Sequence, residues 1–266
     1  MTTITAELYE DAEELDRVAT LRNCIVSSKG YTFVSMDAIQ IELKKVAILS
    51  GDPLMIEASK SSDMHMATAI QVFGNLDDEG NVLDPKSDLM KKRRYDAKQM
   101  NFAILYGATA YKIAEMSEGK LTEEEAQELI DKYFSIYHVL GDWIESEKKK
   151  ARENGFVVTE HGRIRPIPGI QSTNWREREA AEREVVNTIV QGSAVDTVKL
   201  MMLHMRGILD KAIRLVLNVH DEMLWEVPDA MVDDTVAKCR TLAEVFPDYP
   251  CHISVGKQYG GLVELT

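Results

Sequence analysis

The chain has 266 residues, 45% hydrophobic and 28% charged, room for one large domain or two tightly joined subdomains. No long uncharged apolar run is present and the N-terminus lacks a basic-then-apolar signal, so the expectation is a soluble, cytoplasmic protein with no membrane partner. Cys24, Cys239 and Cys251 lie far apart with no CxxC pair, which argues against a disulfide framework or zinc site and fits a reducing compartment.

Read alone, the net charge of −13 argues against a nucleic-acid binder. Charge is segregated, however. Acid gathers at Glu7 to Asp16, Asp77 to Glu79 and Glu123 to Glu125; base gathers at Lys91 to Arg94, Lys148 to Arg152 and Arg163 to Arg183. That distribution permits one basic groove on an acidic body, although solvated helix faces explain any single run equally well.

In chain order, residues 5–18 read as a short acidic helix and 31–37 as a strand ending on a carboxylate. Helical spacing follows at 40–49, 53–60 and 63–73, and the glycines and proline of 74–86 mark a loop. Helical patterns continue at 88–106, 122–137 and 139–153, the second opened by a Thr122/Glu125 capping box. Residues 156–167 read as a hairpin turning at His161-Gly162, and 173–210 as helix broken near Gly192. Strand-like runs at 215–219 and 223–227 flank His220-Asp221-Glu222, before a helix at 229–245 and a last strand near 251–255. The order predicts an α+β fold whose sheet is assembled from segments distant in sequence.

Asp37 falls where a strand gives way to a helix, and Asp221 in a tight connection between strands. Two such acids, brought together at a sheet edge, suit Mg²⁺, which prefers oxygen ligands and leaves room for phosphate. Taken singly, each Asp is a common turn residue. His220-Asp221 also admits an HD-type phosphohydrolase reading, against which the β-rich flanks speak. Arg94, Lys98, Phe102 and Tyr106 recur every fourth residue and form one stripe along about 18 Å of helix. The cations suit a triphosphate and the aromatics a sugar and base; an amphipathic helix with a basic end and a buried aromatic end has the same pattern.

These residues carry a family resemblance. Asp37-Ala38-Ile39-Gln40-Ile41-Glu42 with the Leu49 to Pro53 stretch, Arg94 to Gly107, and Val219-His220-Asp221-Glu222 resemble motifs A, B and C of the family A, DNA polymerase I-like, DNA polymerases, in that order. Gly162-Arg163 and the Glu182 to Gly192 stretch resemble the family's template-contacting segment. The resemblance covers roughly residues 21–255. It implies a palm, an antiparallel sheet with helices, at 31–62 and 156–266, and mostly helical fingers at 63–155, after an acidic lead-in over 1–30.

The resemblance also implies roles. Asp37 and Asp221, with the Ala38 carbonyl, hold two Mg²⁺ ions, Mn²⁺ substituting; Glu222 is a supporting acid and His220 steadies the primer end. Arg94, Lys98, His65 and Gln40 bind the incoming dNTP, Lys98 also serving as general acid. Phe102 packs on the sugar, Tyr106 stacks by the templating base, and Glu42 is the steric gate against ribose. Arg163, Arg183, Asn187 and Gln191 contact primer-template DNA. Ala38, Ile39, Lys44 and Ala103 depart from the usual family residues.

With few residues before Asp37, the expectation is a chain without its thumb. It would be a split phage or bacterial form acting in the bacterial cytoplasm, with a separate subunit supplying thumb and 3′–5′ exonuclease. The implied function is template-directed DNA synthesis. The alternatives are a catalytically silent structural or DNA-binding subunit and a single-subunit RNA polymerase.

Overall fold

The computed structural model describes residues 22–77, 79–105, 107–117 and 121–265. The expected acidic helix at 5–18 and the stacking residue Tyr106 lie outside the described residues. The chain divides into two compact units, Gln40–Asp196 and a second made of Met1–Ile39 with Thr197–Thr266.

The second unit is built on a sheet. β1 (Tyr31–Ala38) is its central strand, and Phe33, Val34, Ser35 and Met36 are all buried, as a strand covered on both faces requires. β4 (Arg214–Val219) and β5 (Glu222–Pro228) form a hairpin, β6 (Cys251–Gly256) lies on the other side of β1, and β7 (Val263–Glu264) ends the sheet. The order is β4-β5-β1-β6-β7, every pair antiparallel. A helix, Val232–Val245, packs on β1, β5 and β6 with Val236, Cys239 and Leu242 buried.

The helical unit runs α1 (Ile41–Ser50), α2 (Pro53–Ser59), α3 (Met64–Phe73), α4 (Asp88–Leu105), α5 (Ala110–Met116), α6 (Glu123–Ile136) and α7 (His138–Asn154). Local chemistry sets the helix starts. Asp52 accepts from the Leu54 and Met55 amides to cap α2, Asp63 from Met66 to cap α3, and Thr122 with Glu125 forms the expected capping box on α6. Asp52 is buried, and its second oxygen accepts from Leu140 N at 3.2 Å, tying α7 to the α2 cap. Leu43, Val46, Met55, Met64, Met100, Tyr133 and Leu140 form the main core. Each such side chain contributes about 2 kcal/mol when fully buried.

A short hairpin, β2 (Phe156–Val158) with β3 (Ile164–Pro166), turns where the sequence places it, with Gly162 at φ +84°. It precedes α8 (Trp175–Ile208), one unbroken helix of 34 residues. The expected break near Gly192 is absent. A Cβ at Gly192 would stand 2.6 Å from Thr159 Cγ2, so this glycine lets the hairpin segment approach the helix and does not interrupt it. Two other readings are corrected. Residues 110–116, read as part of no element, form α5, capped by Thr109. The helix expected from 229 starts as a 3-10 turn, Asp229–Met231, and becomes α-helical only at Val232. No helix of the described residues is long and apolar enough to cross a membrane.

Candidate active site

In the sheet unit, strand register brings the motif acids together. Asp37 is the penultimate residue of β1, opposite Glu222 of β5 and His252 of β6. His220 and Asp221 form the two-residue loop between β4 and β5. His220 takes φ +55°, the left-handed entry that tight hairpins favour, and Asn218 Nδ2 braces the loop by donating to the His220 and Glu222 carbonyls at 3.3 and 3.0 Å. The Ala38 amide donates to the Asp221 carbonyl at 3.4 Å, which stitches the loop to the end of β1. Two acids far apart in sequence thus meet at one sheet edge.

Like charge gathers there. Asp37 is exposed at the strand end, yet it is pushed up to about 6, first by desolvation of its carboxylate and then by the Asp221 and Glu222 charges, with His252 opposing. Asp221 is also raised, mainly by burial and further by Glu222. The neighbouring Cys251 thiol is pushed up to about 12 by burial and by the same two aspartates. A pair of oxygen donors held against repulsion fits a hard divalent cation. Among the described residues no group of three or more His, Cys, Asp or Glu side chains is arranged around a metal point.

Glu222 differs from the two aspartates. Ser35 Oγ donates to one carboxylate oxygen at 2.5 Å and Tyr259 Oη donates to the other at 2.5 Å. Tyr259 is pushed up to about 12 by burial and by the Glu222 charge, so it remains a donor at neutral pH. Arg22 stacks on the Tyr259 ring at 5.2 Å. Both oxygens of Glu222 are therefore engaged.

In the helical unit, α4 presents the basic stripe. Arg94 Nε donates to Asp63 at 2.5 Å, so the residue that caps α3 also holds the arginine. Burial resists ionisation of Asp63, but the Arg94 bond, the Met66 amide and the Arg94 charge keep its carboxyl below the usual range. Lys98 is exposed one turn on. His65, on α3, is buried; burial first and then Arg94 push it down to about 4, Asp63 opposing and Lys98 adding. Its ring lies 5.7 Å from that of Phe102, tilted by 49°. Arg94, Lys98, His65 and Phe102 are thus brought together.

Gln40, at φ 51° before α1, accepts from the Met64 amide at 3.2 Å, and Glu42 lies half-buried in the first turn of α1. On α8, Arg183 packs on Gly107, where an added Cβ would meet its side chain at 3.1 Å, and pairs with Glu179 at 3.3 Å. Asn187 is half-buried one turn further. Gln191 lines a cavity of about 190 Å³ with Arg163, Arg165 and Thr188. Arg163 donates to the Gly192 carbonyl at 2.8 Å and pairs with Asp196 at 3.0 Å. A larger apolar cavity, about 380 Å³, opens beside Met100 and Ala103 of α4, and none of the expected site residues line it.

Comparison with known proteins decides the family. The family model described as "DNA polymerase family A" matches residues 11–260. The chain belongs to DNA polymerase family A. It is 33% identical over 242 residues to DNA polymerase I of Lactococcus lactis subsp. lactis (strain IL1403), covering 88% of this chain and 26% of that protein. It is 35% identical over 240 residues to a thermostable DNA polymerase I of Thermus thermophilus, covering 89% and 28%. It superimposes with a TM-score of 0.81 on the POL domain of Pol1 from M. smegmatis in complex with DNA primer-template and dNTP, at 28% identity over 94% of this chain and 43% of that one. The chain spans about a quarter of the length of the curated relatives it matches.

Within this family A chain, the sequence reading missed the residues that hold the site in place. Ser35 and Tyr259 anchor Glu222, Asp63 anchors Arg94, and Asn101 contacts His65. Asp63 alone carried a local signal, as an N-cap before an apolar helical run. The others act through contacts between segments distant in sequence.

Proposed function

We propose that this chain performs template-directed DNA synthesis, joining a dNTP to a primer 3′-hydroxyl with release of pyrophosphate. The observation that carries the reading is the meeting of Asp37 and Asp221 at one sheet edge where like charge gathers. Asp37 and Asp221, with the Ala38 carbonyl, would hold two Mg²⁺ ions, Mn²⁺ substituting. Bound there, such ions make the 3′-hydroxyl a better nucleophile and offset charge on the pyrophosphate. Glu222, fixed by Ser35 and Tyr259, adds a stationary negative charge beside the pair and His220 steadies the primer end.

The remaining roles belong to the helical unit. Arg94 offers a planar fork to the triphosphate and Lys98 a mobile charge that also protonates the leaving pyrophosphate. His65 and Gln40 complete the triphosphate contacts, Phe102 packs on the sugar, and Tyr106 lies by the template base. Glu42 excludes ribose, and Arg163, Arg183, Asn187 and Gln191 contact primer-template. In this reading residues 31–62 and 156–266 are palm and 63–155 are fingers. Catalysis is then mostly positioning and charge stabilisation. Because duplex affinity rests on phosphate contacts, the net charge of −13 favours a basic separate subunit that adds grip on the duplex.

The test is primer extension with purified protein, dNTPs and Mg²⁺. Metal-dependent incorporation that is lost in Asp37→Asn and Asp221→Asn supports the reading. A wild-type chain that binds primer-template but never incorporates, with or without the separate subunit, is instead the silent subunit.

A further inference from the structure

Asn101 sits on α4 one residue before Phe102 and is buried, 1% exposed. Its amide makes three hydrogen bonds. Nδ2 faces Thr68 Oγ1 at 3.2 Å and His65 Nδ1 at 3.2 Å, and Oδ1 faces the Tyr133 hydroxyl at 2.8 Å. The orientation of the amide follows from its partners. Thr68 spends its hydroxyl proton on the Met64 carbonyl at 2.9 Å, so its oxygen is left to accept. Tyr133 is fully buried and its phenol is held well above the usual range, first by burial, so it stays protonated and donates to Oδ1. A flipped amide would set oxygen against the Thr68 acceptor and remove the acceptor of the phenol proton.

With the NH₂ group fixed, one N–H serves Thr68 and the other points to His65 Nδ1. That nitrogen must accept. A neutral imidazole accepting at Nδ1 carries its proton on Nε2.

We propose that Asn101 is a positioning residue that fixes His65 as the neutral Nε2–H tautomer, the form that offers a hydrogen-bond donor to an anionic ligand beside Arg94 and Lys98. The opposite tautomer turns a lone pair toward that ligand. A charged imidazolium would crowd a third cation against Arg94. The identity of the ligand as a triphosphate rests on the function proposed above; the tautomer does not.

The test separates the two. In ¹⁵N-histidine NMR of the full chain at neutral pH, His65 is expected to show protonated Nε2 and unprotonated Nδ1. Protonated Nδ1, in either the neutral or the charged ring, overturns the proposal without any variant. Asn101→Asp replaces the donor by an acceptor and is expected to draw a proton onto Nδ1. The apparent KM for dNTP should rise about tenfold with kcat within about threefold, the scale seen when a residue orienting a ligating histidine is lost. An unchanged tautomer, or an unchanged KM in an active enzyme, overturns the role of Asn101. In a His65→Ala background, Asn101→Asp should add less than about twofold; a full further loss means that Asn101 does not act through His65. A chain with the expected NMR signature and no polymerase activity leaves the tautomer assignment standing and removes the nucleotide reading.

Discussion

The two candidate sites store charge in opposite ways. At the sheet edge Asp37, Asp221 and Glu222 gather, and burial together with neighbouring like charge raises both aspartates. In the helical unit key cations come already paired: Arg94 with Asp63, Arg163 with Asp196, and the buried Lys45 with Glu160. A site that gathers like charges is incomplete until an opposite charge arrives. A site that pairs its cations has fixed its geometry in advance, and an incoming anion shares or replaces an existing partner. The first arrangement suits a cation and the second an ordered anion, which is the division of labour that nucleotidyl transfer needs.

The comparison breaks most decisively at the acids. Asp37→Asn or Asp221→Asn should reduce primer extension at least about 10³-fold, the scale on which a preorganised electrostatic group acts, with circular dichroism unchanged. The pH dependence has a definite sign. Asp37 is raised from 3.8 to about 6, so the folded state holds its proton more tightly than the unfolded chain. Without metal, Asp37 should therefore add stability as pH falls from about 6 toward 3.8 and lose it as pH rises through about 6; His65, lowered to about 4, works in the opposite direction over that range, so the effect is read as the difference between wild type and Asp37→Asn. Asp37→Asn should lack this window, and saturating Mg²⁺ should erase it by stabilising the ionised form. A difference in urea midpoint between wild type and Asp37→Asn that stays flat across the window would mean that the acids are not in tension. In the helical unit the matching experiment is Glu160→Gln, which removes the charge facing Lys45, a side chain only 2% exposed. Glu160 itself reaches solvent, so the expected loss is about 2 kcal/mol, below the range for a wholly buried pair. Urea unfolding measures it, and no change would show that Lys45 does not depend on Glu160.

This contrast explains what was legible in the sequence. Strand and helix periodicity placed most elements, while the two aspartates, each an ordinary turn residue taken singly, stood out through their resemblance to the family A motifs. Gly192 misled because a glycine inside a helical pattern looks like an interruption. Only the hairpin, from Thr159, shows that it serves close approach. Asn101 and Tyr133 read as ordinary positions on helices, and their partnership with His65 exists only after α3, α4 and α6 pack. Ser35 read as one more strand residue and Tyr259 lay beyond the last predicted strand, yet both close on Glu222. Chemistry-bearing residues sit at positions with local signals; the residues that hold them are chosen by tertiary packing.

Two smaller effects sharpen the comparison. Asp63→Asn keeps the helix cap, since Asn caps as well as Asp, and removes only the charge that holds Arg94. The expected result is a rise of about fivefold in apparent KM for dNTP with kcat little changed, as for loss of one charge-assisted contact in the bound state. A fall in KM would mean that Asp63 competes with the nucleotide and does not orient its arginine.

Tyr259→Phe addresses Glu222, the motif acid that is held by partners as the cations of the other unit are. The phenylalanine ring fills the same space and keeps the ring beneath Arg22, so the change isolates a single hydrogen bond to Glu222. Ser35 still donates to the other oxygen, so Glu222 is loosened and not released. The expected cost is about 1 kcal/mol of stability and about twofold in kcat, measured by urea unfolding and steady-state extension. If Glu222 is a stationary charge, a second change in the Tyr259→Phe background, Ser35→Ala, should lower kcat further while leaving the Mg²⁺ requirement where it was. A shift to lower Mg²⁺ concentration in that double variant would show instead that the two hydroxyls restrain a third metal-binding acid, and that the sheet edge collects three like charges where the wild type uses two.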